Sequence, residues 1–332
     1  MRILIAKHCG LRGALALTPA LRAIREKHPG ARVTVVAPAA ALPMLEGCPG
    51  VDVVFPLALS PGPGSSLSLL AHLRRQAFDH AFALTPHGQV RRLAAFSAAR
   101  RRWTLGRPGL YQPFFHGWGE PAGPDPHEAA RDHAIISQAL GLTPVPGDCW
   151  FASSRMQEHG LLLEPGRFAV IHPVSADPAR MLGAHLWSVV ARSLLDSGAV
   201  DRIVVSCGSD ATERVYAEAV CGAVGAAASS TAGRLRLPQL ARLLADARIF
   251  LGVDTPVLQL AAAVRCPVVG VYGPSDYARA RPWGSVSRSV RVDTTPYEGE
   301  PAAEWRERIG RAYGRVRADQ ITRAAEEVLR LA

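Results

Sequence analysis

Residues 2–36 read RILIAKHCGLRGALALTPALRAIREKHPGARVTVV, and this stretch decides the fold. Arg2–Ala6 is a short apolar run typical of a buried strand, and Arg32–Val36 is a second one. Between them, Thr18–Lys27 has the apolar spacing of a helix, which His28-Pro29-Gly30 ends. A strand, a helix and a strand in this order predict a parallel sheet covered by helices on both faces.

The alternation continues along the chain. In the first half it predicts strands at Val51–Phe55 and His80–Leu84, and the composition of Leu59–Ser68 is that of a loop. In the second half the predicted strands are Arg167–Ile171, Arg202–Ser206, Ile249–Val253 and Pro267–Tyr272. The helices predicted there are Ala184–Leu195, Glu213–Val220, Leu237–Ala245, Val257–Ala263 and Ala318–Leu331. The fold class is therefore α/β, with two Rossmann-like parallel-sheet domains facing each other across a cleft.

The domain boundary is predicted in a stretch rich in Pro and Gly, from Thr143 to Gly166. We expect an N-terminal domain over 1–155 and a C-terminal domain over 156–315. The last segment, 316–332, contains an amphipathic helix that is expected to pack back toward the N-terminal domain.

Composition limits the class of protein. The chain has 332 residues, a formal net charge of +10 and 48% hydrophobic residues, which excludes a disordered chain. No apolar run reaches the roughly 18–20 residues of a membrane span, and the start lacks a secretory signal, so we expect a cytoplasmic protein. The six cysteines have no metal-site spacing. Basic residues are not interleaved with aromatic ones, which disfavours nucleic acid, whereas peripheral contact with a membrane surface stays open.

Loops that follow strands are the candidate ligand sites, since ligands of such sheets bind at the carboxyl ends of strands. The loop His8–Gly13 offers Gly-x-x-Gly, which disfavours a nicotinamide dinucleotide and is also typical of an ordinary tight turn. The hydroxyl of Ser175 and the guanidinium of Arg180 follow another strand and suit a phosphate, although a solvated loop is the alternative. Glu213 could accept the hydroxyls of a ribose or simply lie in the first turn of a helix.

The densest candidate is Gly252–Ala263, GVDTPVLQLAAA, which combines a strand, a polar turn and a helix. Thr255 can cap this helix while neighbouring amides bind a diphosphate, and Asp254 can orient the turn or bind a sugar hydroxyl. Arginines also cluster in the first half, where they form either a solvated face or a rim for an anionic acceptor. They are Arg91, Arg92, Arg100, Arg101, Arg102 and Arg107.

These segments, together with VIHPVSADPAR, RIVVSCGSDATE and GPSD after the last predicted strand, resemble glycosyltransferase family 9, the ADP-heptose:lipopolysaccharide heptosyltransferases. The resemblance covers nearly the whole chain. It implies a GT-B fold in which 1–155 is the acceptor domain and 156–315 is the domain that mainly binds the donor, with no metal and no cofactor. It also implies donor contacts at Ser175, Arg180, Glu213, Leu235, Asp254, Thr255, Pro256, Gln259 and Gly273.

The sequence departs from the family at two motifs. Gly13 stands where the resemblance places the catalytic Asp, so His8 and His87 become the candidate bases. Arg12, Arg91 and Arg92 are the candidate acceptor contacts. The Asp-Thr-Gly-x-x-His signature reads Asp254-Thr255-Pro256-Val257-Leu258-Gln259 here.

The resemblance implies an inverting transfer of heptose from ADP-heptose, or of a similar sugar, to lipopolysaccharide core or to a small natural product. Two alternatives stay open. One is an inactive relative that binds a nucleotide sugar, and the other is a sugar-nucleotide epimerase of the same fold.

Overall fold

The computed structural model describes residues 1–58, 63–119 and 125–332. The chain divides into two compact units, Met1–Ser154 and Arg155–Ala332, each built on one six-stranded parallel sheet. The division falls within the Pro- and Gly-rich stretch in which the sequence predicts the linker.

In the first unit the strand order is β3-β2-β1-β4-β5-β6. The strands are β1 (Arg2–Ala6), β2 (Arg32–Pro38), β3 (Val53–Leu57), β4 (His80–Ala83), β5 (Arg101–Leu105) and β6 (Gly117–Gly119). The helices are α1 (Leu11–Lys27), α2 (Pro63–Arg75), α3 (Gly88–Phe96) and α4 (Glu128–Leu140). The order reverses between β1 and β4, so the loops that follow these strands lie at the topological switch point.

In the second unit the strand order is β12-β11-β10-β7-β8-β9. The strands are β7 (Phe168–His172), β8 (Arg202–Val205), β9 (Ala228–Ser230), β10 (Ile249–Val253), β11 (Val268–Tyr272) and β12 (Ser287–Arg291). The helices are α5 (Ala184–Asp196), α6 (Ala211–Val224), α7 (Leu237–Asp246), α8 (Pro256–Ala263), α9 (Tyr277–Ala280), α10 (Ala302–Tyr313) and α11 (Ala318–Leu331). Here the switch point lies between β7 and β10.

The central strands are apolar because both faces of each sheet are covered. Every residue of β7, β10 and β11 is buried, so these strands read as continuous apolar runs rather than as alternating patterns. This burial aligns the carboxyl ends of the strands and fixes the loops that carry the candidate sites.

Two local predictions for the first unit are wrong. Helix α1 begins at Leu11 instead of Thr18, so Gly13 lies inside the helix and not in a loop. Helix α2 begins at Pro63, within the stretch predicted as a loop. The part of that prediction covering 59–62 lies outside the described residues.

The C-terminal helix α11 is part of the second unit. Its buried residues Ile321, Ala325 and Val328 belong to the same core cluster as Trp187 of α5 and Tyr313 of α10. The sequence analysis expected this helix to pack back toward the N-terminal domain. Its apolar face is buried in the core of its own unit, and packing toward the N-terminal domain stays a prediction.

Candidate functional site

An ion pair between two residues that are predicted to bind the sugar donor lies at the switch point of the second sheet. Arg180 ends a short 3-10 turn (Pro178–Arg180) after β7, and Asp254 follows the neighbouring strand β10. Arg180 Nη1 lies 3.3 Å from Asp254 Oδ2 and 3.3 Å from the Asp254 carbonyl oxygen. The Asp254 side chain is only 2% exposed. The pair therefore positions a guanidinium at the carboxyl end of the sheet.

Thr255 lies at the predicted N-cap position of α8, and Gln259 lies one turn inside the helix. Thr255 is the N-cap residue but makes no side-chain cap hydrogen bond, and its buried hydroxyl has no hydrogen-bond partner among the described residues. Such a buried hydroxyl is typical of a site that is completed by a ligand or water. Gln259 is buried and donates to the carbonyl oxygens of Ala280 at 2.6 Å and Arg281 at 3.1 Å. Its amide nitrogen therefore ties α8 to the end of α9, whereas Pro256, at the start of the helix, is exposed.

Gly273, directly after β11, is packed against Tyr313 of α10. A Cβ on Gly273 would lie 2.6 Å from Cγ of the tyrosine ring, so a larger residue does not fit without movement. The Tyr313 hydroxyl donates to the Arg180 carbonyl oxygen at 2.9 Å. Burial, followed by the charge of Asp254, raises the pKa of this hydroxyl and keeps it protonated. Tyr313 thus joins Gly273 to Arg180.

The residues predicted to bind the ribose and the adenine are Glu213 and Leu235. The chain segments that carry them, after β8 and after β9, are in contact. Glu213, in the first turn of α6, accepts a hydrogen bond from the backbone N–H of Gly208 at 2.7 Å. The loop after β9 carries Leu235, which is half-buried, and Gly233. Gly233 has a positive φ of 67°, and a Cβ there would meet the Gly208 carbonyl oxygen at 2.2 Å. Only glycine permits this contact, which brings the Glu213 and Leu235 loops together.

The N-cap of α6 is Asp210 rather than Glu213. The Asp210 carboxylate accepts from the backbone N–H groups of Thr212 at 2.8 Å and Glu213 at 3.3 Å. These bonds lower the pKa of Asp210. Glu213 therefore lies in the first turn of α6, as the sequence indicated, while Asp210 caps the helix and Glu213 accepts the hydrogen bond from Gly208.

Ser175 and His172 organise the chain after β7. Ser175 Oγ accepts a hydrogen bond from the Asp177 backbone N–H at 3.2 Å, which forms a local turn before Arg180. His172 is buried at the end of β7, and its Nδ1 shares a hydrogen bond of 2.9 Å with Ser206 Oγ at the end of β8. Burial lowers the pKa of His172 to about 4, so the ring is neutral at physiological pH.

At the switch point of the first sheet, the two predicted bases are in contact. His8 follows β1 and His87 precedes α3, and their rings stack with centroids 4.2 Å apart and an interplanar angle of 9°. The His8 backbone N–H donates to Thr85 Oγ1 at 3.0 Å, which ties the two loops together. Burial, followed by the charge of His8, lowers the pKa of His87.

A buried lysine beside this loop pairs with two acidic residues of α4. Lys7 is 1% exposed and is bonded to Asp132, which is equally buried, while its Nζ lies 3.0 Å from Glu128 Oε1. Lys7 also donates to the Gly13 carbonyl oxygen at 2.7 Å. Burial alone would lower the pKa of Lys7, but the two carboxylates outweigh it and raise that pKa, so the lysine is charged.

The predicted acceptor arginines differ in their surroundings. Arg91 is half-buried and donates from Nη2 to the carbonyl oxygen of Leu105 at the end of β5, at 3.2 Å. Arg92 is exposed, and Arg12 is half-buried on the first turn of α1. Arg102 donates to the Phe114 carbonyl oxygen at 2.6 Å. Part of the arginine cluster therefore stabilises the fold rather than forming a solvated rim.

Sequence reasoning missed Tyr313, Lys7, Glu128 and Asp132. Tyr313 acts through a glycine contact that no local pattern reveals. The i,i+4 pair Glu128 and Asp132 was the available signal, because both carboxylates lie on one face of α4 and Lys7 is one of two lysines in the chain.

Two kinds of site are not found in the described residues. No helix there combines the length and apolar composition needed to cross a membrane. In the same ranges, no group of three or more His, Cys, Asp or Glu residues is arranged to hold a metal ion.

Comparison with known proteins assigns this architecture to a family. Residues 66–302 match the family model described as glycosyltransferase family 9 (heptosyltransferase). Lipopolysaccharide heptosyltransferase 3 of Escherichia coli K12 is 23% identical over 95% of this chain and 94% of its own length. Lipopolysaccharide heptosyltransferase 1 of the same strain is 26% identical over 83% of this chain and 89% of its own. The solved E. coli heptosyltransferase WaaC with ADP superposes with a TM-score of 0.79 at 20% identity, covering 99% of this chain and 100% of that one.

Proposed function

Because the chain belongs to glycosyltransferase family 9, with two parallel sheets that match GT-B heptosyltransferase structures, we propose that it transfers heptose from ADP-heptose to an acceptor with inversion at the anomeric carbon. The observation that carries the proposal is the Arg180–Asp254 pair at the switch point of the second sheet. The solved relative with ADP and the two lipopolysaccharide heptosyltransferases support this choice of donor.

In the proposed reaction the second unit binds the donor. Arg180 binds the diphosphate. The buried hydroxyl of Thr255 and the backbone amides beside it provide further hydrogen bonds to the phosphates, although Pro256 has no N–H to contribute. Glu213 binds the ribose hydroxyls, and Leu235 lies along the adenine. Charge that develops on the departing ADP is stabilised by the guanidinium and the amides, so the scheme needs no metal.

On the acceptor side we assign Arg12 and Arg92 as contacts, while Arg91 holds the loop after β5. Two acceptor classes fit the chemistry, lipopolysaccharide core and a small natural product with a reactive hydroxyl. The arginines would bind the phosphates of the first class, whereas the second needs no charged contact.

The proposal is tested by binding and turnover together. Thermal unfolding with ADP, GDP, UDP and ADP-heptose should show stabilisation by the adenine ligands, about 2.7 kcal/mol at 100 times the dissociation constant. ADP release from ADP-heptose should follow when an acceptor is present. A preference for uridine or guanine nucleotides would contradict the donor assignment.

A binding-only relative is the second candidate, and Gly13 is the observation that favours it, because it provides no carboxylate at the position where the family resemblance places the base. That candidate predicts ADP-heptose binding with no ADP release across a panel of acceptors.

A further inference from the structure

A carboxylate from another helix lies against the position where α1 has no side chain. A Cβ placed on Gly13 would be 2.7 Å from Glu128 Oε1, so the glutamate carboxylate occupies the space next to that backbone position. Glu128 is the first residue of α4, 115 positions further along the chain, and its side chain is 24% exposed. The Glu128 side chain is therefore partly exposed, whereas Lys7 beside it is buried, just after the carboxyl end of β1.

Lys7 holds the Glu128 carboxylate in this place. The same ammonium lies 3.0 Å from Glu128 Oε1 and donates to the Gly13 carbonyl oxygen at 2.7 Å. Its other carboxylate partner, Asp132, is 1% exposed and cannot meet a substrate. Of the two acidic residues that Lys7 binds, only Glu128 is accessible.

The charges around Glu128 keep it ionised. Burial works to raise its pKa, but the ammonium of Lys7, then Arg12 and Arg131, outweigh burial and hold that pKa below its usual value. Burial raises the pKa of Asp132 to about 7 against the pull of Lys7, and it raises the pKa of the nearby Cys9 thiol to about 11. The groups that face Glu128 are Lys7, Cys9, Arg12, Arg131 and Asp132.

We propose that Glu128 is the general base of the transfer reaction, in place of either histidine, an inference that rests on the proposed function. The acceptor hydroxyl gives its proton to the Glu128 carboxylate. An oxygen lone pair of the acceptor forms the new bond to the anomeric carbon as the bond from that carbon to the diphosphate oxygen breaks. The electron pair of the broken bond leaves with ADP. Lys7 is the positioning residue for this carboxylate.

The stacked histidines are the competing assignment, and the two bases predict different pH profiles. A histidine base loses activity on acidification as the ring takes up a proton, which for His87 happens below about pH 6.5 because its pKa is lowered. A carboxylate whose pKa is held below its usual value remains ionised at pH 5. The kcat profile between pH 5 and 6 therefore separates them, since Asp132 beside Glu128 itself takes up a proton near pH 7.

The decisive variants are E128Q and E128D, with E26Q as a matched control because Glu26 is an exposed glutamate of the same unit. Turnover is measured as ADP release from ADP-heptose, with core oligosaccharide, with a panel of small hydroxyl-bearing acceptors and with water alone. E128Q should lower kcat by about 10²–10⁴-fold with an unchanged dissociation constant for ADP, since ADP binds the second unit. E128D should retain part of the activity and its pH profile, and E26Q should match the wild type.

A reciprocal exchange guards against simple misfolding. In the variant G13D/E128A the carboxylate returns from α1 into the space that Glu128 vacates, although Cys9 Cβ, at 2.6 Å from the new Cβ, must shift slightly. Recovery of turnover over E128A alone supports the role of a base at this point.

Wild-type turnover that E128Q retains in full would overturn the assignment of Glu128 and leave the proposed function intact. Loss of activity in H8A or H87A, together with an acid limb near pH 6, would assign the base to the histidines instead. If the wild-type protein neither binds nor cleaves ADP-heptose, the proposed function itself fails, and the base assignment fails with it.

Discussion

Arg180 and Asp254, 74 residues apart in the chain, meet at 3.3 Å where two neighbouring strands of the second sheet end. The aspartate is buried and the arginine side chain is about one-third exposed. The ion pair therefore fixes the direction of an arginine that is partly accessible to solvent. This arrangement is compatible with an acidic residue beside the proposed diphosphate site. In the proposed reaction, Asp254 orients the cation and does not itself bind the phosphates.

The variant Arg180→Ala should weaken ADP binding by about 1.5–3 kcal/mol, the range of a charge-assisted hydrogen bond. Isothermal titration calorimetry measures the change. Arg180→Lys is the matched control, because it keeps the charge but loses the two-pronged geometry, and it should fall between alanine and wild type. Equal ADP affinity in all three proteins would remove Arg180 from the donor site.

The contact between Gly273 and Tyr313 predicts that Gly273→Ala is destabilising. The new methyl group would be forced onto a buried ring, and overpacking of this kind costs about 1–3 kcal/mol. ADP affinity should fall as well, because the same ring holds the Arg180 backbone through its hydroxyl. Urea unfolding and ADP titration measure the two effects.

Replacing the ring tests the cause of that instability. In a Tyr313→Leu protein, adding Gly273→Ala should lower the free energy of unfolding by less than Gly273→Ala does in the wild type, because the smaller side chain leaves room for the new methyl group. Tyr313→Phe removes only the hydrogen bond and should cost about 1 kcal/mol. A Gly273→Ala protein as stable as wild type would show that the ring moves freely.

Much of the framework is predictable because parallel strands buried on both faces leave an unbroken apolar run. Arg2–Ala6 and Ile249–Val253 have the same bounds in the sequence analysis and in the structure. The turn at Asp254 is identifiable for a related reason, since a polar pair between a buried strand and an apolar helix must lie at the end of a sheet.

Other features depend on tertiary contacts that local patterns do not encode. Strand β5 carries two consecutive arginines, which read as a charged surface, yet the strand pairs with β4 because Thr104 and Leu105 are buried. Gly13 reads as part of a loop but lies within α1, where its missing side chain leaves room for Glu128. The partner comes from a distant helix, so no spacing rule connects them.

His172 predicts that the second unit loses stability on acidification. Its pKa is about 4 in the folded state and about 6.5 when unfolded, so below pH 6.5 the unfolded chain binds a proton that the folded chain does not. The free energy of unfolding should therefore fall as the pH drops from 6.5 to 4, by about 3 kcal/mol from this residue. Urea unfolding at a series of pH values measures the slope.

The variant His172→Gln separates this effect from other titrating groups. Glutamine can still share a hydrogen bond with Ser206 but takes up no proton, so the variant should show a shallower loss of stability over the same pH interval. Parallel pH profiles for the two proteins would show that another group controls the acid response.

Arg91 and Arg92 are neighbours in the chain, but they should respond differently to removal. Arg91 donates to the Leu105 carbonyl oxygen, so Arg91→Ala should lower the free energy of unfolding by about 1 kcal/mol. Arg92 is exposed, and Arg92→Ala should leave stability unchanged. Arg92→Ala is therefore the variant to assay, because it can report on acceptor binding without a change in stability.

The salt dependence of Arg92→Ala distinguishes the two acceptor classes. With an anionic core acceptor, the variant should raise the acceptor Michaelis constant, and wild-type activity should fall steeply with salt, because exposed charges are screened over about 8–10 Å. With a small neutral acceptor both effects should be slight. We expect the slight effects, since the family resemblance places its catalytic Asp at Gly13 and its signature His at Gln259, and we propose that these departures accompany a changed acceptor chemistry. Michaelis constants for transfer at low and high salt, with and without Arg92, measure the difference. A steep salt response that Arg92→Ala weakens, together with transfer to lipopolysaccharide core, would contradict this expectation.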